Sequence, residues 1–250
     1  MLFLACQPVD GVTRDAVTDA LWPETEALAD DPNHRFRQLR YRLRQRLHAV
    51  PDAPPTDGIC MDRRGLRLDP GVVHSDAQEF LTLVRDARLH LDQSSPEVIH
   101  YLEHARALYA GDLFDGPDAR RYGWLDERDD SGVTLREHFR RLFQNACSRL
   151  AEAYTSSGQV AQAIDVYHDL TEMDPSDERL FQALFRLRAQ NGDVSGLEAE
   201  EKRMRELLRD LAADLDSTEQ TPEEPDAETV QEYRRLLEGL RAQQREAAAV

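Results

Sequence analysis

From about Ala77 onward, apolar residues recur at the spacing of an α-helix along almost the whole chain. The segments between these stretches are rich in Gly, Pro, Asp and Ser, which end or start helices. This pattern predicts a mainly α-helical fold for most of the 250 residues. The predicted helices lie near residues 77–92, 96–110, 132–157, 159–173, 176–191, 193–213 and 226–245.

Part of this helical region repeats itself at an offset of 34 residues, as Gly158 and Gly192 show. Thirty-four residues is the period of the tetratricopeptide repeat, a pair of antiparallel helices. The second repeat departs from the pattern, because Arg188 stands where the 34-residue offset places the equivalent of Tyr154. The repeat predicts a tetratricopeptide-like helical domain. Its pattern in the first unit consists of Leu150, Ala153, Tyr154, Gly158, Ala163, Tyr167, Leu170 and Asp174-Pro175.

The first 76 residues have a different organisation. A short helix is predicted over residues 11–22, with Thr13 as its N-cap. A second runs from Pro32 to about Val50, capped by Asp31. Two β-prone runs around "DRRG" then predict a hairpin. Helix, loop, helix, hairpin is the order of a winged helix-turn-helix. We therefore predict two domains, a winged helix over 1–76 and a helical domain over 77–250.

Charge is distributed unevenly between these two parts. The chain has a net charge of −17, yet residues 1–75 hold 10 arginines against 11 acidic residues. The acidity therefore belongs to the helical part, which is a poor candidate for binding nucleic acid and a reasonable one for binding proteins. We expect residues 77–250 to mediate self-association or contact with a protein partner.

The second predicted helix contains the stretch "NHRFRQLRYRLRQRLH", with six arginines and no acid. At about 100° per residue, its apolar side chains form one core stripe, and a polar ridge lies opposite. Arginines occupy both flanks between stripe and ridge. The stripe is Phe36, Leu39, Leu43 and Leu47; the ridge is His34, Gln38, Tyr41, Gln45 and His48; the flanks are Arg35, Arg42 and Arg46 on one side and Arg37, Arg40 and Arg44 on the other.

This distribution matches a DNA major groove, which has phosphate walls and base edges at its floor. We expect the flanking arginines to contact phosphates, and Gln38, Tyr41 and Gln45 to approach bases. Arg63, Arg64 and Arg67 would lie on or beside the hairpin and touch the backbone. The alternative is that these arginines only solvate a helix, or pair with acidic residues of the helical domain.

Other functional classes find little support in the sequence. The motif "HYLEH", His100 to His104, fits an H-x-x-E-H zinc pattern. On the helical wheel, however, Val98, Leu102, Ala105 and Tyr109 form the core face, and both histidines point away from it. Neither a Gly-Lys-Ser/Thr nor a GxGxxG motif occurs. We therefore predict no enzymatic activity, no catalytic residues, no metal site and no cofactor.

The expected location is the cytoplasm. Cys6, Cys60 and Cys147 are odd in number and widely spaced, which suits a reducing compartment. No segment approaches the roughly 18 apolar residues that cross a bilayer. We expect no direct contact of this segment with a membrane.

Several stretches resemble bacterial regulators of the Streptomyces antibiotic regulatory protein type. "GVTRDAVTDALWP" resembles the first helix of their winged helix, "NHRFRQLRYRLRQRL" the recognition helix and "RRGLRLDP" the wing strand. "ARALYAGDLF" and "PDAETVQEYRRLL" are similar to their bacterial transcriptional activator domain, which is tetratricopeptide-like. Two departures are that Leu66 stands where the wing usually has Tyr, and that the N-terminal strands of the family are missing.

The resemblance implies a truncated winged helix-turn-helix followed by a helical repeat domain, in a transcriptional regulator that binds double-stranded DNA. The alternative function is a protein-interaction scaffold that does not bind DNA and forms the C-terminal part of a larger bacterial protein, associated with a membrane or cell wall.

Overall fold

The computed structural model describes residues 2–7, 9–22, 32–49, 56–63, 65–115, 122–128, 131–214 and 224–248. Within these ranges the chain forms ten α-helices, one two-stranded sheet and one short 3₁₀ helix at Gly123–Leu125. The mainly α prediction is confirmed. The elements are α1 (Leu2–Ala5), α2 (Arg14–Leu21), α3 (Pro32–His48), β1 (Ile59–Asp62), β2 (Gly65–Leu68), α4 (Asp76–Leu89), α5 (Pro96–Leu108), α6 (Leu135–Ser156), α7 (Val160–Met173), α8 (Glu178–Gln190), α9 (Val194–Asp214) and α10 (Ala227–Ala248).

All seven helices predicted beyond residue 77 are present within a few residues of their expected ends. In the first part, Thr13 caps α2 as predicted, accepting a hydrogen bond from the Ala16 N–H at 3.2 Å. The expected N-cap Asp31 lies outside the described residues. The short helix α1 was not predicted, because four residues are too few to show a period.

Two compact units make up the chain. One comprises Met1–His90 and Glu103–Phe143, and the other comprises Leu91–Leu102 and Gln144–Val250. The winged helix-turn-helix and α4 therefore belong to the same unit. The division at residue 76 that the sequence suggests stays a prediction.

The winged helix is built around one apolar cluster, formed by α1, α2, α3 and the hairpin. Strands β1 and β2 are antiparallel, with Ile59 opposite Leu68 and Met61 opposite Leu66. Leu66, at the position usually occupied by Tyr in the family resembled, is 1% exposed in this core. The buried members of the cluster are Leu4, Val17, Phe36, Ile59, Leu66 and Leu68.

The residues before α2 pair with the hairpin along its other edge. Val12 and Leu66 exchange two backbone hydrogen bonds, of 2.9 and 2.8 Å. Gly65 lies against this bridge with φ of +126°, and a Cβ added there would meet the Val12 carbonyl oxygen at 2.3 Å. Only glycine combines this backbone conformation with so close an approach. The tip of the hairpin thus requires Gly65.

Side-chain hydrogen bonds join the N-terminal helix to the start of α4. The Ser75 hydroxyl donates to the Ala5 carbonyl at 2.9 Å and also accepts from the Gln78 N–H, capping α4. The Gln78 amide donates to the Leu4 carbonyl at 3.0 Å. The Phe3 and Trp124 rings meet edge to face, with centroids 5.3 Å apart. These contacts hold α1 within the first unit.

In the second unit, α8 packs against α7, α9 and α10. The 34-residue pattern is confirmed by burial: its apolar members lie in the core, and Gly158 and Gly192 follow α6 and α8 with φ of +75° and +70°. A left-handed residue of this kind ends a helix, and glycine adopts it without steric cost. The buried members are Leu150, Ala153, Tyr154, Ala163, Tyr167, Leu170, Leu184 and Met204.

The departure at Arg188 has a physical explanation. Its guanidinium lies 2.7 Å from the carboxylate of Glu200, which is 2% exposed, and 2.9 Å from that of Asp193. His168 Nε2 lies 2.9 Å from the same Glu200 carboxylate. Glu200 is 34 residues beyond the buried Val166, as Arg188 is beyond Tyr154. The second repeat therefore has an ion pair, with its carboxylate buried, at the two positions where the first repeat has the buried Tyr154 and Val166.

The close approach of Gly65 to the Val12 carbonyl predicts that a single added methyl group destabilises the fold. Gly65→Ala should lower the free energy of unfolding by more than Gly111→Ala, by about 2 kcal/mol, measured by denaturant titration. Gly111 is the control, because it belongs to the same unit and has φ of +145°, while an added Cβ there meets no atom within 4 Å. Equal losses in the two variants would show that the approach to Val12 is unimportant.

The ion pair predicts a non-additive pair of substitutions. Arg188→Tyr should cost about 3 kcal/mol of unfolding free energy, because the buried Glu200 carboxylate loses the guanidinium that lies 2.7 Å from it. Arg188→Tyr/Glu200→Val recreates the apolar pair of the first repeat and should recover most of that loss. A double variant no more stable than the single one would contradict the equivalence of the two repeats.

Glu200 also predicts a pH dependence. Burial alone would raise the pKa of its carboxyl, but hydrogen bonds from His168 and Arg188 outweigh burial and hold the pKa below the ordinary 4.5. A lowered folded-state pKa stabilises the fold above about pH 4.5 and stops doing so as the pH falls through the folded-state value. The stability difference between wild type and Glu200→Gln should therefore shrink on acidification. A difference that stays constant from neutral pH to pH 3 would exclude this role.

Candidate nucleic-acid interface

The apolar stripe of α3 packs against the rest of the winged helix. Phe36 is 4% exposed and belongs to the cluster with Val17, Ile59 and Leu66, while Leu43 packs against that cluster. The Arg14 guanidinium lies over the Phe36 ring, 4.9 Å from its centroid. The predicted inward face of α3 is confirmed.

The opposite face of α3 is open to solvent, as the helical wheel predicts. Tyr41 is 64% exposed. Gln38 approaches His34 at 2.7 Å, one helical turn away, so the two side chains lie along the same line. This ridge offers hydrogen-bonding groups that can donate and accept, as base edges require. Its exposed members are His34, Gln38, Tyr41, Gln45 and His48.

The six flanking arginines do not all have the same environment. Arg37, Arg42, Arg44 and Arg46 are exposed, and Arg35 is half-buried. Arg40 differs from these, because its Nε donates to the Asp57 carboxylate at 2.6 Å and its Nη2 to the Ile59 carbonyl at 3.4 Å. Most of the predicted phosphate-contacting side chains of α3 are therefore exposed to solvent. Arg40 instead connects α3 to β1.

Asp57 is an acidic residue at the base of this basic surface. It is 2% exposed, and Arg44 Nη2 lies 3.7 Å from the oxygen that Arg40 contacts. Burial raises the pKa of the Asp57 carboxyl, but the hydrogen bond and charge of Arg40, with help from the Ile59 N–H and Arg44, outweigh it and hold the pKa below 3.8. Asp57 is therefore ionised at neutral pH and neutralises part of the arginine charge.

The hairpin places further basic side chains in the same unit as α3. Arg63 is exposed at the turn, and Arg67 lies in β2 with Nη2 3.4 Å from Asp62. Arg64 lies outside the described residues. Met61 is 59% exposed on β1. The described hairpin thus carries two of its three predicted cationic residues and one exposed apolar side chain.

Sequence reasoning missed the roles of Asp57 and Arg14. A signal for the first was present, since Arg40 lies only about 40° from Phe36 at 100° per residue, beside the core stripe. An arginine in that position needs a counter-charge. Its partner Asp57 is 17 positions further along the chain, so the local pattern does not identify it. Nothing in the local pattern pointed to Arg14.

The H-x-x-E-H motif does not form a metal site among the residues that the structure describes. Three residues of the expected core face, Val98, Leu102 and Ala105, are buried. The fourth, Tyr109, follows the end of α5 and is half-buried. His100 and His104 are exposed. His104 lies 3.4 Å from Glu79 on α4. The histidines of the motif therefore point outward from their helix.

Among the described residues, no helix combines the length and the apolar character that crossing a membrane requires.

The described residues form a winged helix-turn-helix and a set of tetratricopeptide-like helices. Residues 75–237 match the family model of the bacterial transcriptional activator domain, which covers well over half of the chain. The chain belongs to this family, and the resemblance seen in the sequence is confirmed. The family is one of regulator domains and not of enzymes. No curated protein matches the chain.

A solved structure, Mycobacterium tuberculosis EmbR in complex with a low affinity phosphopeptide, is similar to this one. The two superpose with a TM-score of 0.55 at 19% sequence identity, over 96% of this chain. The chain spans 57% of the length of the EmbR chain. At this identity the similarity shows a shared fold.

Proposed function

We propose that this regulator binds double-stranded DNA by placing α3 in a major groove. The exposed arginines on the flanks of α3 contact phosphates, and Gln38, Tyr41 and Gln45 approach base edges. Arg63, Arg64 and Arg67 reach the backbone beside the groove. The observation that carries this proposal is charge segregation, with six arginines and no acid on one exposed helix of a chain whose net charge is −17.

The geometry of α3 supports the proposal in two respects. Its apolar stripe faces the cluster around Phe36, so the polar ridge and the arginines face away from the protein. Cationic flanks on both sides of a hydrogen-bonding ridge match the two phosphate walls and the floor of a major groove. The match to the activator domain family covers residues 75–237 and does not itself predict this arrangement of side chains on α3.

For the helical part, we propose protein contact through residues 77–250. Its helices carry most of the negative charge, which disfavours nucleic acid and keeps this part away from phosphates. EmbR, which is similar in fold, was solved in complex with a low affinity phosphopeptide.

One observation favours the alternative function, a scaffold that does not bind DNA. Arg40 pairs with Asp57, and Arg44 lies close to the same carboxylate, so part of the charge of α3 is neutralised within the protein. In this alternative, the exposed arginines of α3 contact acidic protein partners and not a duplex. Salt dependence separates the two functions, because phosphate binding releases counter-ions.

The DNA proposal is tested by fluorescence anisotropy with a labelled random-sequence duplex, titrated at several salt concentrations. Neutralising about six phosphates predicts a slope of about −5 for log affinity against log salt concentration. Arg42→Ala/Arg46→Ala should reduce the slope by about two, since both side chains are exposed on one flank of α3.

The matched control is Arg209→Ala/Arg245→Ala, which removes two exposed arginines from α9 and α10. Both double variants change the net charge equally, so a difference between them reports position. The control should leave the slope unchanged. Absence of binding by the wild type at low salt, or equal losses in the two variants, would contradict the proposal and favour the scaffold.

A further inference from the structure

The Asp57 carboxylate connects α3 to the hairpin. Asp57 Oδ2 accepts from Arg40 Nε at 2.6 Å, and Asp57 Oδ1 accepts from the Ile59 N–H at 3.4 Å. Arg40 Nη2 donates in turn to the Ile59 carbonyl at 3.4 Å. Three hydrogen bonds therefore join one side chain of α3 to the first residue of β1.

The pair is built as an internal contact and not as a surface ion pair. Asp57 is 2% exposed, and the Arg40 side chain is 26% exposed. Arg44, one turn further along α3, is 54% exposed and 3.7 Å from Asp57. Breaking a buried pair leaves an uncompensated charge, so this contact resists rearrangement more than the exposed pair of Arg67 and Asp62 does.

We propose that Asp57 and Arg40 are positioning residues, which fix the hairpin relative to α3 so that both elements meet one duplex, and that Arg40 does not itself contact phosphate. This inference rests on the proposed DNA binding. A helix and a wing that contact neighbouring parts of a duplex must keep a set separation, because a rigid arrangement lowers the entropy lost on binding.

The proposal predicts an effect opposite in sign to simple electrostatics. Removing an acidic residue from a DNA-binding surface normally strengthens binding, since the acid repels phosphate. If Asp57 positions the hairpin, its removal weakens binding instead. Asp62 offers the comparison, because it is also an acid paired with an arginine of this surface but is 44% exposed at the hairpin turn.

The experiment measures, by anisotropy, the affinity of variants of the 250-residue chain for the labelled random-sequence duplex. Asp57→Asn should bind about tenfold more weakly than wild type, which corresponds to 1.4 kcal/mol. Asp62→Asn should bind as tightly as wild type or more tightly. Arg63→Ala should weaken binding in the wild type but add little in the Asp57→Asn background, because the hairpin is then already displaced from the duplex. A purely structural loss would not produce this non-additivity.

Arg40→Lys is the second variant and decides the matter if Asp57→Asn fails to fold. Lysine keeps the charge but lacks the guanidinium fork that reaches both Asp57 and Ile59. Arg40→Lys should therefore bind DNA several-fold more weakly, whereas Arg209→Lys, the same exchange at an exposed arginine of α9, should bind as wild type does. Circular dichroism melting establishes that each variant is folded at the assay temperature.

The outcomes separate this inference from the function on which it rests. A wild type that does not bind DNA removes the proposed function, and the positioning role with it. If the wild type binds, tighter binding by Asp57→Asn or unchanged binding by Arg40→Lys overturns only the positioning role.

Discussion

The insertion of Phe36 into the cluster of Val17, Ile59 and Leu66 determines which side of α3 faces solvent. Burying one such aromatic side chain contributes about 2 kcal/mol, a considerable share for a small winged helix. Because the apolar stripe of α3 is narrow, the remaining arc is left to polar side chains. The orientation of the arginines thus follows from the packing of one ring.

A second constraint is electrostatic. Six arginines on one helix repel each other, and α3 contains no acid to relieve that repulsion. Asp57, on the segment before β1, supplies a counter-charge beneath Arg40 and close to Arg44. The charge is thereby reduced on the side nearest the hairpin and kept on the outer flank, where Arg42 and Arg46 are exposed. Stability of the helix and a cationic outer surface are compatible for this reason.

The sequence predicted most of the fold, because helices and turns are encoded locally. The Gly158 and Gly192 helix ends, the Thr13 cap and the hairpin each depend on residues close together in the chain. The paired charges were beyond reach of the same reasoning. A periodic pattern shows which side chains share a face, but it does not show what lies opposite. From the sequence, Arg188 was therefore interpreted as a departure from the repeat, and Arg40 as one more phosphate-contacting arginine.

The central claim, that the outer face of α3 meets the bases of a duplex, is tested most directly by photo-crosslinking. Tyr41 is 64% exposed at the centre of the polar ridge, and benzoylphenylalanine in its place would keep an aromatic ring there. Our account predicts a light-dependent crosslink from residue 41 to bases of duplex DNA, lost at high salt. A crosslink that forms only to protein at low salt, with none to the duplex, would contradict this claim.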